Sequence, residues 1–392
     1  MNNNPLIELA GFGQSFWYDN ISRDLIESGQ LKRMIDEDGL KGVTSNPSIF
    51  HKAIKEGGRY NEMLREIISR ARQNYPLSPP LSPPASQPLG PKELLYELEM
   101  RDVADAADML AGVYESTGGK DGYVSIEVDP NFAFDADATV AEAREIFKRL
   151  DRKNIMIKVP ATKEALPAIK RLIADGINVN ATLLFSVRRY VEVIDAYLGG
   201  LQERLTAGKP IDHIASVASF FVSRLDTVVD KILDEKMREA AVDEEHSSYK
   251  FLMGKAAVSN AKVAYQAMVA EFSSERFIQL KHNGARIQRL LWASTGTKNP
   301  DYSDVLYVEQ LIGANTVNTI PPDTILAFKD HGKAARTVDQ NMDETLSVME
   351  DLPDLGINVE YIAAQLEKDG IRQFIDAFNA LVDLMREKQG IA

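Results

Sequence analysis

The sequence predicts a (β/α)8 barrel, an α/β fold, from three patterns. Eight short apolar segments are spread along the 392 residues, and each is followed by one or more segments with helical periodicity. The fourth, at 154–160, is apolar on both faces, as expected for a parallel strand covered on both sides. No glycine-rich turn follows the first segment, so an open doubly wound sheet with a dinucleotide site is the weaker alternative.

The predicted strands and helices alternate in chain order. Pro160 marks the end of the fourth strand because it cannot donate a hydrogen bond to a neighbour, and Ser22 is a predicted helix N-cap. Strands are predicted at 15–19, 40–44, 123–128, 154–160, 177–185, 214–222, 290–294 and 316–320. Helices are predicted near 22–36, 47–55, 60–73, 91–115, 136–150, 165–174, 187–204, 224–233, 247–272 and 302–312, and residues 322–389 are predicted to be helical.

One domain is predicted over residues 1–392, with two additions to the barrel. Residues 76–88 are rich in proline, which excludes helix and strand and predicts an extended surface insertion at about 76–91. Its PxxP spacing also allows a ligand for an SH3-type domain, which is the less favoured interpretation. The second addition is a helical C-terminal extension at about 322–392.

Composition excludes several classes of function. A net charge of −13 without a basic cluster argues against nucleic acid as a partner. Neither a signal peptide nor an apolar run of bilayer length is found, so no membrane partner and a cytoplasmic location are predicted. The chain contains no cysteine, and its five histidines show no ligand spacing, so neither a metal nor a cofactor is predicted.

Polar residues gather at the carboxyl ends of the predicted strands, where barrel enzymes carry out their chemistry. Each has an ordinary alternative: Asp19 or Asn46 could cap the next helix, and Thr182 could be a plain strand residue. Their coincidence at one end of the barrel favours a site. These residues are Asp19, Asn46, Glu127, Lys158, Asn180, Thr182, Ser219 and, just past its strand, Arg224.

Lys158 is the candidate nucleophile. Among apolar neighbours a lysine loses hydration, so its neutral amine becomes available, although a lysine that snorkels to solvent is the alternative. Glu127 lies about one βαβ unit earlier, which places the two residues on adjacent strands. The pair could be a plain ion pair. It is also the minimum set for carbonyl chemistry, in which the amine forms a Schiff base and the carboxyl group carries protons.

Further residues complete a metal-free, aldolase-type site. Asp19 is a second carboxylate, able to take the proton from the hydroxyl group next to the breaking carbon–carbon bond. Arg224 at a helix start, with the Ser219 hydroxyl nearby, could bind a phosphate group. Lys298, in the loop after the seventh strand, could add a second cation.

Five ordered segments resemble those of the transaldolase family, and the resemblance covers every predicted strand. They are Val43-Thr-Ser-Asn-Pro-Ser48, Val124-Ser-Ile-Glu-Val-Asp129, Ile155-Met-Ile-Lys-Val-Pro160, Ile177-Asn-Val-Asn-Ala-Thr-Leu-Leu-Phe-Ser186 and Ala218-Ser-Phe-Phe-Val-Ser-Arg224. The proline-rich insertion and the helices near 235–275 resemble a longer bacterial-type branch, and we expect them not to touch the chemistry. The resemblance implies a cytoplasmic, often dimeric enzyme of the non-oxidative pentose phosphate pathway, with sugar phosphates as partners.

The resemblance also implies a role for each candidate. Lys158 would be the Schiff-base lysine, Asp19 the acid and base for cleavage, and Glu127 the proton carrier, through a water held partly by Thr182. The remaining roles concern the substrate: Asn46, Asn180 and Ser219 would bind the dihydroxyacetone portion, Arg224 the phosphate, Phe221 would lie beside the phosphate loop, and Lys298 would stand where the family has a second arginine. A fructose 6-phosphate aldolase-like enzyme and a non-catalytic sugar-phosphate-binding barrel are the alternatives.

Overall fold

The computed structural model describes residues 4–72, 89–240 and 242–391, and its strands form a closed barrel. All eight strands are parallel to their neighbours and follow one another in chain order. The predicted (β/α)8 fold is therefore confirmed. The strands are β1 (Gln14–Tyr18), β2 (Gly42–Val43), β3 (Tyr123–Glu127), β4 (Ile155–Pro160), β5 (Val179–Leu184), β6 (Ser216–Phe221), β7 (Arg289–Ala293) and β8 (Thr316–Ile320).

Helices surround this barrel. No helix in the described ranges has both the length and the apolar composition needed to cross a membrane. Two 3₁₀ turns, Leu9–Phe12 and Pro130–Phe132, accompany them. The helices are α1 (Pro5–Glu8), α2 (Arg23–Glu27), α3 (Gln30–Glu37), α4 (Pro47–Glu56), α5 (Gly58–Arg72), α6 (Pro91–Ser116), α7 (Ala136–Leu150), α8 (Leu166–Asp175), α9 (Val187–Thr206), α10 (Ser223–Glu239), α11 (Asp243–Leu252), α12 (Ala256–Glu271), α13 (Glu275–Lys281), α14 (Leu306–Glu309), α15 (Pro322–His331), α16 (Met342–Asp354) and α17 (Val359–Ile391).

Two predicted helices are each divided in two. The segment 22–36 forms α2 and α3 because Gly29 adopts a left-handed φ of 74°, which interrupts helical hydrogen bonding. The segment 247–272 likewise divides between α11 and α12 near Gly254, whose φ is 70°. The Ser22 side chain accepts a hydrogen bond from the Leu25 backbone, so the predicted N-cap is confirmed.

Smaller differences concern short elements. The predicted helix at 302–312 is only the single turn α14, and the seven-residue helix α13 was not predicted. A helix this short offers little periodicity to detect, although Ser274 caps it. The proline-rich segment 76–88 lies outside the described residues.

Alternation along β4 decides which side chains face the barrel interior. Ile155, Ile157 and Val159 belong to the apolar cluster that includes the surrounding helices, whereas Met156 belongs to a second cluster, which contains side chains from several strands. Because successive strand residues point to opposite faces, Lys158 shares the inward face with Met156. The sequence of β4 therefore directs its single charged side chain into the barrel.

The amino end of the barrel contains a buried ion pair. Arg289 Nη2 lies 2.9 Å from Asp121 Oδ1, and the two side chains are 7% and 2% exposed. Ser15 and Trp17 also donate hydrogen bonds to Asp121, at 2.8 and 3.2 Å. Burial alone would raise the pKa of Asp121, but Arg289 and these hydrogen bonds hold it below its ordinary value.

We expect Asp121→Asn to lower the free energy of unfolding by about 3–5 kcal/mol at pH 7, because it leaves the Arg289 charge buried without a partner. The matched control is Asp108→Asn, which breaks the pair between Arg152 and a 60% exposed carboxylate and should cost less than about 1 kcal/mol. Urea unfolding curves measure both values. Equal losses for the two variants would contradict a structural role for the buried pair.

Candidate active site

A cavity of about 260 Å³ opens at the carboxyl end of the barrel. Every predicted site residue lines it except Glu127 and Asn180, which lie next to residues that do. The predicted residues on its wall are Asp19, Asn46, Lys158, Thr182, Ser219, Phe221, Arg224 and Lys298. The structure therefore brings together candidates that the sequence spreads over 280 positions, from Asp19 to Lys298.

Lys158 and Glu127 are direct neighbours across two strands. Their Cα atoms are register partners in the β3–β4 pair, and Lys158 Nζ lies 3.7 Å from Glu127 Oε2. Both side chains are only 6% exposed. Lys158 Nζ also donates a 2.9 Å hydrogen bond to the Ser45 carbonyl, which lies just after β2. The amine is thus held at a defined point of the cavity wall.

The Glu127 carboxyl group is suited to gain and lose a proton near neutral pH. Burial raises its pKa to about 7, against the attraction of Lys158, while the charge of Asp19 adds to the rise. Within the described residues, both Glu127 oxygens and the buried Thr182 hydroxyl have no hydrogen-bond partner. Thr182 is the register partner of Pro160, two residues beyond Lys158. These polar atoms are therefore available to exchange a proton or a hydrogen bond with a molecule bound beside Lys158.

Asp19 follows β1 directly and does not cap α2, because Ser22 does. Its Oδ1 accepts a 3.0 Å hydrogen bond from the Thr44 hydroxyl, and Thr44 lies 2.6 Å from the Thr319 hydroxyl. Burial raises the pKa of Asp19, while the Lys158 charge and the Thr44 hydrogen bond oppose the rise. The position and environment of Asp19 fit a group that exchanges a proton with a bound molecule.

Asn46 has the role of a cap as well as a position on the cavity wall. Its side-chain oxygen accepts a 3.0 Å hydrogen bond from the Ile49 backbone at the start of α4. The capping alternative is therefore correct for Asn46. The same side chain lines the cavity, so its amide group can serve both purposes.

A buried chain of polar side chains holds Asn180 in one orientation. Ser219 Oγ donates to Asn180 Oδ1 at 2.6 Å, and Asn180 Nδ2 donates to Ser125 Oγ at 3.1 Å. Asn180 is the register partner of Lys158 on β5. Its amide is consequently fixed beside the amine, one strand away on the side opposite to Glu127.

Two cations lie at the edge of the cavity. Arg224, in the first turn of α10, has its guanidinium 5.5 Å from the centre of the Phe221 ring and donates a 2.9 Å hydrogen bond to Gln373 Oε1. Lys298 lines the same cavity from the loop after β7. In contrast to the rest of this acidic chain, the cavity therefore offers two positive charges to an anionic group.

Sequence reasoning missed several residues of the site. Thr44 and Thr319 orient Asp19, and Thr44 was detectable as a polar residue at the end of the second strand. Phe374 of α17 lies over the amine, with its ring centre 5.3 Å from Lys158 Nζ. In the sequence Phe374 looks like any apolar residue of a packed helix. Across the described residues, no group of three or more His, Cys, Asp and Glu side chains could hold a metal ion.

The fold and the cavity define a (β/α)8 barrel whose carboxyl end combines an amine, two carboxyl groups and two cations. The family model described as Transaldolase/Fructose-6-phosphate aldolase matches residues 16–385. A protein named Transaldolase from Trichodesmium erythraeum is 44% identical over 99% of this chain and 98% of its own length. Transaldolase 2 from a Nostoc species is 43% identical over 98% and 97%, and Transaldolase from Neisseria gonorrhoeae is 42% identical over 96% and 98%.

The chain therefore belongs to the transaldolase/fructose-6-phosphate aldolase family. Its function is that of a transaldolase, an enzyme of the transferase class, because the relatives that match its full length carry that name. The aldolase alternative is not favoured by these relatives.

The raised pKa of Glu127 predicts a pH-dependent effect of Glu127→Gln. The folded protein binds a proton at Glu127 up to about pH 7, whereas a glutamate exposed in the unfolded chain releases it near 4.5, so the wild type loses stability as pH rises between these values. The glutamine variant lacks this loss. Its stability relative to the wild type should increase by about 2–3 kcal/mol from pH 4.5 to pH 8, as measured by urea unfolding.

A suitable control is Glu66→Gln, because a hydrogen bond from Arg101 lowers the pKa of Glu66. The stability of Glu66→Gln relative to the wild type should decrease from pH 4.5 to pH 8, and by a smaller amount, since the Glu66 side chain is 39% exposed. A stability difference for Glu127→Gln that does not vary with pH would contradict the raised pKa.

Proposed function

We propose that this enzyme transfers a dihydroxyacetone unit from a ketose phosphate to an aldose phosphate through a Schiff base on Lys158. The donor would be sedoheptulose 7-phosphate or fructose 6-phosphate, and the acceptor glyceraldehyde 3-phosphate or erythrose 4-phosphate. The observation that carries the proposal is the buried Lys158 amine 3.7 Å from a carboxyl group whose pKa is raised to about 7. The proposal includes a role in the non-oxidative pentose phosphate pathway, a cytoplasmic location, a single domain and a homodimer.

Formation of the Schiff base requires proton transfer in both directions. The Lys158 amine adds to the ketone carbon, and the resulting carbinolamine loses water to give an iminium ion. Glu127 supplies the proton that leaves with this water, directly or through a water molecule bound by Thr182. A carboxyl group with a pKa of about 7 can act as both acid and base at neutral pH, which supports this assignment.

Cleavage of the carbon–carbon bond is assigned to Asp19. Asp19 takes the proton from the substrate hydroxyl group next to the breaking bond, and the iminium ion accepts the electron pair. The hydrogen bond from Thr44 fixes one oxygen of Asp19, which leaves the other to face the substrate. Asn180, Ser219 and Asn46 would bind the hydroxyl groups of the dihydroxyacetone portion.

The phosphate group is assigned to Arg224 and Lys298. Arg224 can give two parallel hydrogen bonds, and its position in the first turn of α10 adds the positive end of a helix. Phe221 contacts the guanidinium group from one side. Arg224 donates a hydrogen bond to Gln373, and the phosphate would compete with Gln373 for this N–H group.

Trapping with borohydride tests the nucleophile. In the presence of fructose 6-phosphate, borohydride should reduce the imine and label the wild type irreversibly at Lys158. Lys158→Ala should abolish labelling and lower kcat by several orders of magnitude, because covalent catalysis loses its nucleophile. Mass spectrometry of tryptic peptides locates the label.

The matched control is Lys262→Met, which removes another buried lysine, 3% exposed and away from the cavity. This variant should remain labelled at Lys158. Labelling of the Lys158→Ala variant, or its full activity, would refute the assignment. Accumulation of free dihydroxyacetone by the wild type without an acceptor aldose would instead favour the aldolase-like alternative.

Kinetics with two donors test the phosphate assignment. Arg224→Gln should lower kcat/KM for fructose 6-phosphate by about 100-fold, because a charge-assisted bidentate contact is lost, and Lys298→Gln should lower it less. Neither should change kcat/KM for unphosphorylated fructose by a comparable factor. Arg188→Gln, at a 74% exposed surface position, is the control and should behave as wild type. Equal losses for the two donors would contradict phosphate binding at Arg224.

A further inference from the structure

The C-terminal helix α17 forms part of the cavity wall. Phe374 lines the cavity, and the neighbouring Gln373 accepts the hydrogen bond from Arg224. Ile371 and Phe374 belong to the same buried apolar cluster as Phe221 and the inward-facing Met156. A helix outside the eight βα units of the barrel thus contributes side chains to its mouth.

The position of α17 over the mouth is fixed by close contacts. A Cβ atom added to Gly370 would lie 3.1 Å from Leu183 Cδ2 at the end of β5, so this glycine allows a close approach of the helix. Leu183 itself adopts a left-handed φ of 62° at an irregularity of β5. Glu367 pairs with Arg189 of α9 at 3.4 Å, which adds an electrostatic contact on the same side.

Phe374 covers the amine of Lys158. The centre of its ring lies 5.3 Å from Lys158 Nζ, within the distance at which the face of an aromatic ring attracts a cation. The Phe374 residue is only 4% exposed, so its ring also excludes water from the side of the amine that it faces. The same ring would face the iminium ion formed at this nitrogen.

We infer that Phe374 is a specificity-determining residue, which directs the Lys158-bound three-carbon unit to an aldose acceptor rather than to water. The inference rests on the proposed function. After the carbon–carbon bond breaks, the unit is an enamine on Lys158. Addition of the enamine carbon to an aldehyde carbon forms the new ketose, still bound as an iminium ion, and the aldehyde oxygen takes back the proton that Asp19 holds.

The competing branch begins when water protonates the same enamine carbon, and the hydroxide left behind takes the proton that Asp19 removed at cleavage. The resulting iminium ion adds water and eliminates the Lys158 amine, which releases dihydroxyacetone. Both branches return Lys158 unchanged, and each consumes one water molecule, equal to the one lost when the imine formed. The branches diverge at the enamine, where the transferase requires an aldehyde and the aldolase branch requires a proton from water. The enamine carbon is two bonds from this nitrogen, so a ring that excludes water beside the nitrogen also shields the carbon from protonation, which favours transfer.

The test measures the ratio of free dihydroxyacetone to transfer product at fixed donor and acceptor concentrations. Phe374→Ala should raise this ratio by about tenfold, the effect expected when an apolar contact that distinguishes two reactions is removed. Phe374→Leu, which keeps apolar volume but lacks the ring face, should raise it by about threefold. If the alanine variant does not fold, the leucine variant alone tests the inference.

Phe378→Ala is the matched control, because Phe378 lies one turn further along α17, is also 4% exposed, and packs near Tyr96 away from the cavity. It should lose stability but keep the wild-type ratio, which separates specificity from packing of the helix. A wild-type ratio in a folded Phe374 variant that still forms the trapped imine overturns the inference alone. Absence of a trapped imine in the wild type overturns the proposed function, and the inference with it.

Discussion

The burial of the Lys158 amine beside the Glu127 carboxyl group is the interaction on which the rest of the site depends. The amine and the carboxyl group lie 3.7 Å apart inside the mouth of the barrel, each on a side chain that is 6% exposed. Removal of either partner would leave a buried charge without compensation. Register enforces the pairing, because a shift of β4 by one residue would turn Lys158 towards the helices.

The strands provide this pair, and the loops and helices at the carboxyl end adjust its surroundings. The Ser45 carbonyl accepts a hydrogen bond from the Lys158 amine, and the Thr44 hydroxyl donates one to Asp19, so two consecutive residues after β2 position both groups. Asn180 is held by hydrogen bonds to residues of β3 and β6. Lys158, Asp19 and Asn180 are therefore each supported by a βα unit other than their own, which a closed barrel brings within hydrogen-bonding distance.

Sequence reasoning succeeded where burial dictates the pattern. The strands were predictable because parallel strands covered on both sides are continuous apolar runs, and the single charge in 154–160 pointed to Lys158. The helix breaks at Gly29 and Gly254 were not predicted, since a helical pattern in the sequence does not reveal a residue with a left-handed backbone conformation. Phe374 was missed because an apolar residue at helical spacing, near Ile371 and Phe378, indicates only a buried face. Which face meets the barrel mouth depends on tertiary packing, such as the approach of Gly370 to Leu183.

The pKa values of buried carboxyl groups are shifted in opposite directions at the two ends of the barrel. Asp121 at the amino end has Arg289 and donors from Ser15 and Trp17, and its pKa falls despite burial. Glu127 at the carboxyl end has one amine at 3.7 Å, and its pKa rises to about 7. Hydrogen-bond donors supplied by neighbouring residues stabilise Asp121 as a fixed anion, which suits a structural role. The Glu127 oxygens lack such donors among the described residues, so Glu127 costs the fold stability at neutral pH and keeps the freedom to exchange a proton. The number of hydrogen-bond donors that each carboxyl group receives therefore distinguishes a fixed anion at the amino end of the barrel from a carboxyl group that titrates near neutral pH at the carboxyl end.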